Sequence, residues 1–460
     1  MNAVLPCATF RDPAGSVSFE DGQVVRRVSY PSRQQVLDFL DSPFCQRAQL
    51  RGDLIDATVL NSSEGLCLLH PRLSPATYPW EWTPSQWLSA AELTLNLAEE
   101  ALAEGWILKD ATPLNVLFSG TRPVFVDILS FERRDPGMSV WLAYGQYVRT
   151  LLLPLLMQRM LSWPLSLSLF KRDGYEPEEC YAALSWPQRI SRSALWPITL
   201  PTLLDKRKQT GKPSAAAVRR MLDAETTGHI LQRTFKDLRR RTQNAMPPES
   251  SSEWSDYQSS LTHYSAEESG HKFEWVRSKI RAIQPERVLD LGANTGEFSA
   301  LAASESSDVV AIERDASAAE RLFCMARERG LRIQTIQADI ARPTPAVGWL
   351  NRESPSLLDR LAGDFDLVLM LAVIHHLLLM EQIPLPSIMS LCAQLTRRHL
   401  ILEWVPVEDP MYQSLMRGRD SLYGSLSEEN LFEACEQTFR VVTREPLANG
   451  RVLFHLEKVH

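Results

Sequence analysis

The residues with the most chemical capacity lie late in the chain. An apolar run, Arg287-Val-Leu-Asp-Leu-Gly292, carries Asp290 and closes on Gly292, and Ala293, Asn294, Thr295 and Gly296 follow. A second run, Asp308-Val-Val-Ala-Ile312, ends at Glu313, twenty-one residues after Gly292. A third, Leu331 to Gln337, is followed by Asp339, and a fourth, Phe365 to Leu371, leads to His375 and His376. Glycine lets a backbone approach a ligand closely. A dinucleotide fingerprint needs Gly-x-Gly-x-x-Gly before a helix. Here Asn294 and Glu297 stand at the second and third glycine positions, and a carboxylate at a helix mouth repels a pyrophosphate. The Gly-Lys-Ser/Thr of a P-loop is absent. A nucleoside without phosphates fits better. Glu313 can accept from both ribose hydroxyls, Asp339 can accept from an adenine amino group, and Asp290 sets negative charge near a cationic ligand.

These residues need a scaffold. The four runs read as strands, with helices between them, one beginning near Glu297 and one spanning about Ala316 to Arg329. Strands alternating with helices at this spacing predict a parallel, doubly wound α/β sheet. Such sheets bind ligands beyond the carboxyl ends of their strands, where Asp290, Glu313 and Asp339 stand.

The segment Val288-Leu-Asp-Leu-Gly-Ala-Asn-Thr-Gly296, with Glu313 and Asp339, resembles a class I S-adenosylmethionine-dependent methyltransferase over about residues 270 to 460. The resemblance implies a Rossmann-like sheet with S-adenosyl-L-methionine as cofactor. It implies that Gly292, Ala293, Asn294 and Gly296 lie under the methionine and ribose, that Glu313 binds the ribose, and that Asp339 reaches the adenine. Asp290 and Leu371 complete the expected cofactor set. The tail fits the same pattern: a strand at Leu400 to Glu403, a helix near Ser427 to Cys435, and strands Phe439 to Thr443 and Arg451 to Glu457, like the family's terminal antiparallel pair. Asn294 departs from the glycine many members carry there. The segment Leu371-Ala-Val-Ile-His-His376 follows strand four, so His375 or His376 is the candidate base for a hydroxyl acceptor. Either histidine can equally cap or pack the next helix. The Asn/Asp-Pro-Pro-aromatic motif of amino-group methyltransferases is absent, which lowers adenine-N6 and glutamine-amide methylation. No metal is expected: adjacent histidines diverge, and neither H-x-x-x-H nor H-E-x-x-H occurs.

A second constellation lies earlier. Leu108-Lys-Asp-Ala-Thr-Pro-Leu-Asn115 places Asp110 five residues before Asn115, and Asp127 closes the following hairpin. The order and spacing resemble kinase-like and aminoglycoside-phosphotransferase-like folds. Leu108 replaces the usual His, Ile-Leu follows Asp127, and no Gly-rich phosphate loop is visible. Arg26 or Arg27 sits where such a fold carries a lysine, and the two are not interchangeable. A scaffold for binding and a phosphotransferase both remain open. With Phe10-Arg-Asp-Pro13 and Pro123-Val-Phe-Val-Asp127, the whole chain is similar to a bacterial group of methyltransferase-domain proteins resembling the nodulation protein NoeA.

Composition sets the frame. The 460 residues are 44% hydrophobic and 23% charged, which excludes a disordered or collagenous chain and predicts two to four domains. The formal charge of −7 argues against a globally basic nucleic-acid binder. Between Asp205 and Arg241, however, eleven Lys or Arg face four Asp or Glu, read either as a solvated helical face or as a site for an anionic partner. Seven scattered cysteines without C-x-x-C fit a reducing cytoplasm. The N-terminus lacks a signal-peptide pattern. The apolar stretch Thr150 to Phe170 contains Arg159, Pro154 and Pro164 and reads as a buried, broken helix, not a membrane span. The expected organisation is a kinase-like α+β domain (1–135), a helical connector (136–245), a linker rich in Pro, Ser and Glu (246–270) and the methyltransferase domain (271–460). The function expected is cytoplasmic methyl transfer to an unidentified small molecule, saccharide or protein. The alternative is a kinase-like or pseudokinase protein whose S-adenosylmethionine domain regulates or is inactive. The oligomeric state is not legible.

Overall fold

The computed structural model describes residues 12–20, 22–62, 65–209, 223–248, 266–416 and 418–459. The chain forms two compact units: Met1–Glu249 with Gly348–Glu353, and Ser250–Val347 with Ser354–His460.

The first unit opens with a four-stranded antiparallel sheet of β1 (Gly15–Glu20), β2 (Gln23–Val28), β3 (Thr58–Ser62) and β4 (Gly65–His70), in the order β1-β2-β4-β3. Gly22, at φ 80°, makes the first turn, as the Asp-Gly pair predicts; Asp21 lies outside the described residues. The helix expected from Ala90 begins earlier, as α1 (Pro84–Ala103). Its start is a capping box: Thr83 N–H donates to Gln86 Oε1 at 2.9 Å, and Pro84 takes the first helical position. Two short pairs follow. β5 (Trp106–Leu108) pairs with β8 (Phe131–Arg133), and β6 (Val116–Ser119) pairs with β7 (Arg122–Phe125).

The apolar stretch Thr150 to Phe170 is a helix over Leu153–Leu161 that stops at Ser162, where φ is 56°. Leu151 to Leu153, Leu155 and Leu156 are buried, and among the described residues no helix is long and apolar enough to cross a membrane. α2 (Ala224–Asn244) is capped by Asp223, which accepts from Thr226 N. Residues 210–222 of the basic segment lie outside the described residues. So do residues 249–265 of the expected linker, with Trp254, Tyr257 and Tyr264, and Phe10 and Arg11. The last positions of that linker are already helical, in α3 (Ala266–Ile283).

The second unit carries a seven-stranded mixed sheet of β9 (Arg287–Leu291), β10 (Asp308–Glu313), β11 (Ile333–Gln337), β12 (Phe365–Met370), β13 (Thr396–Trp404), β14 (Phe439–Pro446) and β15 (Val452–Lys458). The order is β11-β10-β9-β12-β13-β15-β14. β9 to β13 run parallel, and β15 is antiparallel to both β13 and β14. The near-continuous apolar runs follow from burial on both faces. Leu289, Leu291, Val310 and Ile312 enter one core, while Val288, Val309 and Ala311 enter the other, as a two-residue period requires. Strand order reverses between β9 and β12, and the crevice there is the expected place for a ligand.

Candidate functional site

Three strand ends and a helix build the site. β9 ends in the Gly292–Gly296 loop, which leads into α4 (Glu297–Ser304). Gly292, Asn294 and Gly296 all have positive φ, at 70°, 51° and 88°. A Cβ on Gly292 would lie 2.5 Å from Val373 Cγ2, so glycine is required for space as well as for conformation. Glu313, at the end of β10, ties the loop down. Its Oε2 accepts from Asn294 N at 2.8 Å and its Oε1 from Asp315 N at 2.7 Å. Burial pushes its carboxyl above the ordinary value, against the pull of the Asp315 and Asn294 amides.

A cavity of about 250 Å³ opens over these strand ends. Its wall includes Asp290, Gly292, Ala293, Asn294, Glu313, Asp339, Leu371, His375 and His376. Gly296 does not line it. A Cβ at Gly296 would meet Leu322 Cγ at 2.8 Å, so this glycine packs the loop on α5 (Ala316–Glu328) and acts from behind. Asn294 and His375, both lining residues, each hold a buried polar atom, Oδ1 and Nδ1, with no hydrogen-bond partner among the described residues. Buried polar atoms are rarely left so. The acidic side chains at the strand ends present acceptor oxygens and negative charge to the cavity, which ligand hydroxyls and a cationic group would complement.

Asp290 is wholly inside, and Ser299 Oγ donates to its Oδ2 at 2.6 Å. Burial pushes its carboxyl up to about 6, above the ordinary 3.8, and the hydrogen bond from Ser299 opposes that rise. A raised folded-state pKa means that the protonated form is favoured in the fold. Its stabilising contribution is complete below about pH 4 and is lost as pH rises through about 6. Asp290→Asn, which mimics the protonated form, is therefore expected to match the wild type near pH 4. At neutral pH the ligand-free variant should be more stable by about 2–3 kcal/mol. Urea denaturation across this range checks it, and a pH-independent difference would contradict it.

α6 (Ile374–Leu379) carries both histidines, with ring centroids 4.2 Å apart. His375 is 2% exposed. Burial, with the neighbouring His376 and Arg451, holds its pKa well below the ordinary range. Burial and Arg314 lower His376 to about 4. Both rings are neutral near pH 7. His376 Nδ1 stands 3.3 Å from Met380 Sδ.

Sequence reasoning missed a buried ionic network on the same wall. Lys272 of α3 and Arg451, just before β15, both line the cavity. Lys272 Nζ donates to Glu403 Oε2 at 2.6 Å, and Arg451 Nη1 to Glu403 Oε1 at 3.3 Å. Arg451 Nε donates to Asp409 Oδ2 at 2.8 Å. These residues span 180 positions of chain, and no local pattern signals their meeting. At the rim, Arg314 and Arg342 reach both Asp339 and Glu381.

In the first unit, Arg26 of β2 points to the buried face, where Nη1 meets Asp127 Oδ1 at 2.7 Å. Ser130 Oγ donates to the other Asp127 oxygen, and Asn115 Nδ2 donates to Ser130 Oγ at 3.1 Å. Burial raises the Asp110 carboxyl pKa, against Lys109, and Asp127 adds to the rise. Among the described residues, no group of His, Cys, Asp and Glu could hold a metal ion.

No family model matches the chain. The nodulation protein NoeA of Rhizobium meliloti (strain 1021) is 26% identical over an alignment of 468 positions, which covers 98% of this chain and 95% of NoeA. Similar solved structures include WbdD, at 20% identity over 44% of this chain with a TM-score of 0.32; the match spans 42% of the WbdD chain. The N-methyltransferase NodS from Bradyrhizobium japonicum WM9 matches at 14% identity over 42% of this chain and 98% of its own, with a TM-score of 0.32. Magnesium protoporphyrin IX methyltransferase (ChlM) from Synechocystis PCC 6803, with bound SAH, matches at 15% over 42% of this chain and 84% of its own, with a TM-score of 0.30.

Proposed function

We propose that the second unit, which holds most of the methyltransferase domain expected over residues 271–460, binds S-adenosylmethionine and transfers its methyl group to an acceptor. The observation that carries this reading is Glu313. Two backbone amides fix its carboxylate on the cavity wall, beside the Gly292 loop, where it can take both ribose hydroxyls. Asp339 and Asp290 also line the cavity, and in this reading Asp339 would accept from the adenine amino group while Asp290 would set negative charge near the sulfonium. Ala293, Asn294 and Leu371 complete the wall, and Gly296 supports the loop. When bound, the sulfonium supplies an activated methyl group. The protein's task is to align the acceptor in line with it and keep water out, and a prepositioned pair of reactants lowers the barrier by itself.

A hydroxyl acceptor also loses a proton as its oxygen forms the new C–O bond. His375 is the base in this reading. The residue lines the cavity and its ring is neutral, whereas His376 Nδ1 is against Met380. His375→Ala is expected to lower kcat for a hydroxyl acceptor by about 10²–10⁴-fold, with S-adenosylhomocysteine affinity kept within a few-fold. His376→Ala should cost less. Calorimetric titration with S-adenosylmethionine and S-adenosylhomocysteine, followed by an acceptor screen on saccharides, small molecules and proteins, tests the reading. No binding of either nucleoside would end it.

For the first unit, the engagement of both Asp127 oxygens by Arg26 and Ser130 supports a kinase-like scaffold over phosphoryl transfer. An arginine held there fills the place of a cation that nucleotide phosphates would need.

A further inference from the structure

The charged cluster at the cavity rim holds more than the strand-end pattern requires. Arg314 follows the end of β10, Asp339 and Arg342 follow β11, and Glu381 follows α6. Their side chains close a ring of alternating charge. Glu381 Oε2 meets Arg342 Nη2 at 2.5 Å, and its Oε1 meets Arg314 Nη1 at 3.3 Å. Asp339 Oδ2 completes the ring, 3.3 Å from Arg342 Nη1 and 4.0 Å from Arg314 Nη1. Its Oδ1 accepts from Ala341 N–H at 2.9 Å. The carboxylates are the better buried members: the Glu381 side chain is 11% exposed, against 69% for Arg342. Arg314, Asp339 and Glu381 all line the cavity.

The ring sets two guanidiniums against two carboxylates, so its charges cancel. A guanidinium only donates hydrogen bonds, whereas a carboxylate only accepts them. With Asp339 alone between the two arginines, the rim would be net positive. The arginines would then compete with a ligand amino group for the Asp339 oxygens, and they would favour a ligand carbonyl instead. Glu381 prevents this by engaging one nitrogen of each arginine. We infer that Glu381 sets the choice of nucleobase. By holding Arg314 and Arg342, it leaves Asp339 able to accept from a 6-amino purine and draws the guanidinium donors away from a 6-oxo purine. This inference rests on the S-adenosylmethionine reading of the cavity and adds to it the determinant of its base preference. Glu381 acts through the arginines and is thus a positioning residue.

The test is calorimetric titration of the full chain with S-adenosylhomocysteine and S-inosylhomocysteine, which carry an amino and an oxo group at purine position 6. The wild type should prefer the amino form. In Glu381→Gln that preference should fall by about five- to tenfold, the scale of one unit charge about 4 Å away at a wetted rim. Removing one arginine as well restores the balance of charge. Glu381→Gln combined with Arg342→Leu should therefore recover most of the preference, a coupling that single changes cannot show. A brace that merely stiffens the rim would lower both affinities together and leave their ratio alone. An unchanged ratio in Glu381→Gln therefore overturns the inference, whatever the melting temperature does. So does a double variant no more selective than the single one, or a wild type that binds the two nucleosides equally. If the wild type binds neither, the S-adenosylmethionine reading itself fails, and the inference falls with it.

Discussion

Glu313→Ala is expected to weaken S-adenosylhomocysteine binding by at least about 100-fold. Each hydrogen bond from a ribose hydroxyl to an ionised carboxylate contributes about 1.5–3 kcal/mol, so losing two removes about 3–6 kcal/mol. The same side chain holds Asn294 and Asp315 amides, so its removal also loosens the loop that Gly292 and Gly296 shape. Glu313→Gln separates the two effects. It retains the size and one carbonyl acceptor for the loop but lacks the charge, and it should bind between the wild type and the alanine variant. The fold should survive both changes, because burial already disfavours the ionised carboxylate at this position. Calorimetric titration gives the affinities, and melting curves show that the variants are folded. An affinity within about threefold of wild type in Glu313→Ala would remove this residue from the ligand site.

The second large effect concerns stability. Glu403 is wholly buried, and its carboxylate sits between Lys272 and Arg451, which are themselves almost wholly inside. Glu403→Ala would take from the buried Lys272 and Arg451 the carboxylate they share, while Arg451 keeps Asp409. Breaking a buried pair by removing one partner costs about 3–5 kcal/mol, because the remaining charge stays out of water uncompensated. Against a total stability of about 5–15 kcal/mol, that is a large fraction. The urea midpoint should fall accordingly. Glu403→Gln should lose less than the alanine variant, since an amide oxygen still accepts from one donor. A loss below about 1 kcal/mol would mean that water reaches the network and screens it. Because Lys272 and Arg451 stand on the cavity wall, the folded fraction of Glu403→Ala should also bind S-adenosylhomocysteine less tightly.

The elements of the second unit were largely legible because each carries its own local signal. Apolar runs mark β9, β10 and β12, acidic residues mark their ends, and glycines mark the loop after β9. The parallel order followed from the alternation of strands with helices. Boundaries drifted where the signal was tertiary. β13 runs over Thr396–Trp404, well beyond the expected Leu400 to Glu403, because Thr396 pairs with Phe365 of β12 and His399 with Glu457 of β15, with Arg397 and Arg398 in the irregularity between them. α1 begins at Pro84 because Thr83 and Gln86 form a cap, a signal that sequence carries but that an Ala- and Leu-rich core obscures. Gly296 was expected beside the ligand. Its motif position is the same whether it faces the cavity or backs onto Leu322, and only packing distinguishes the two.

The sequence by itself determined which residue types stand at the strand ends, and therefore the chemistry of the ligand they would take. Asp290, Gly292, Glu313 and Asp339 are close to secondary-structure boundaries that local periodicity defines. Tertiary structure alone decided that His375 is buried with its Nδ1 unpartnered while His376 Nδ1 meets Met380, and that Lys272, Glu403, Asp409 and Arg451 meet in one buried network. It also decided that Arg26 engages Asp127 across 101 positions of chain. The reason is physical. Strand and helix periods depend on neighbours within a few residues, whereas the pairing of buried charges depends on which distant segments the sheet order brings together, and burial then makes each pairing obligatory.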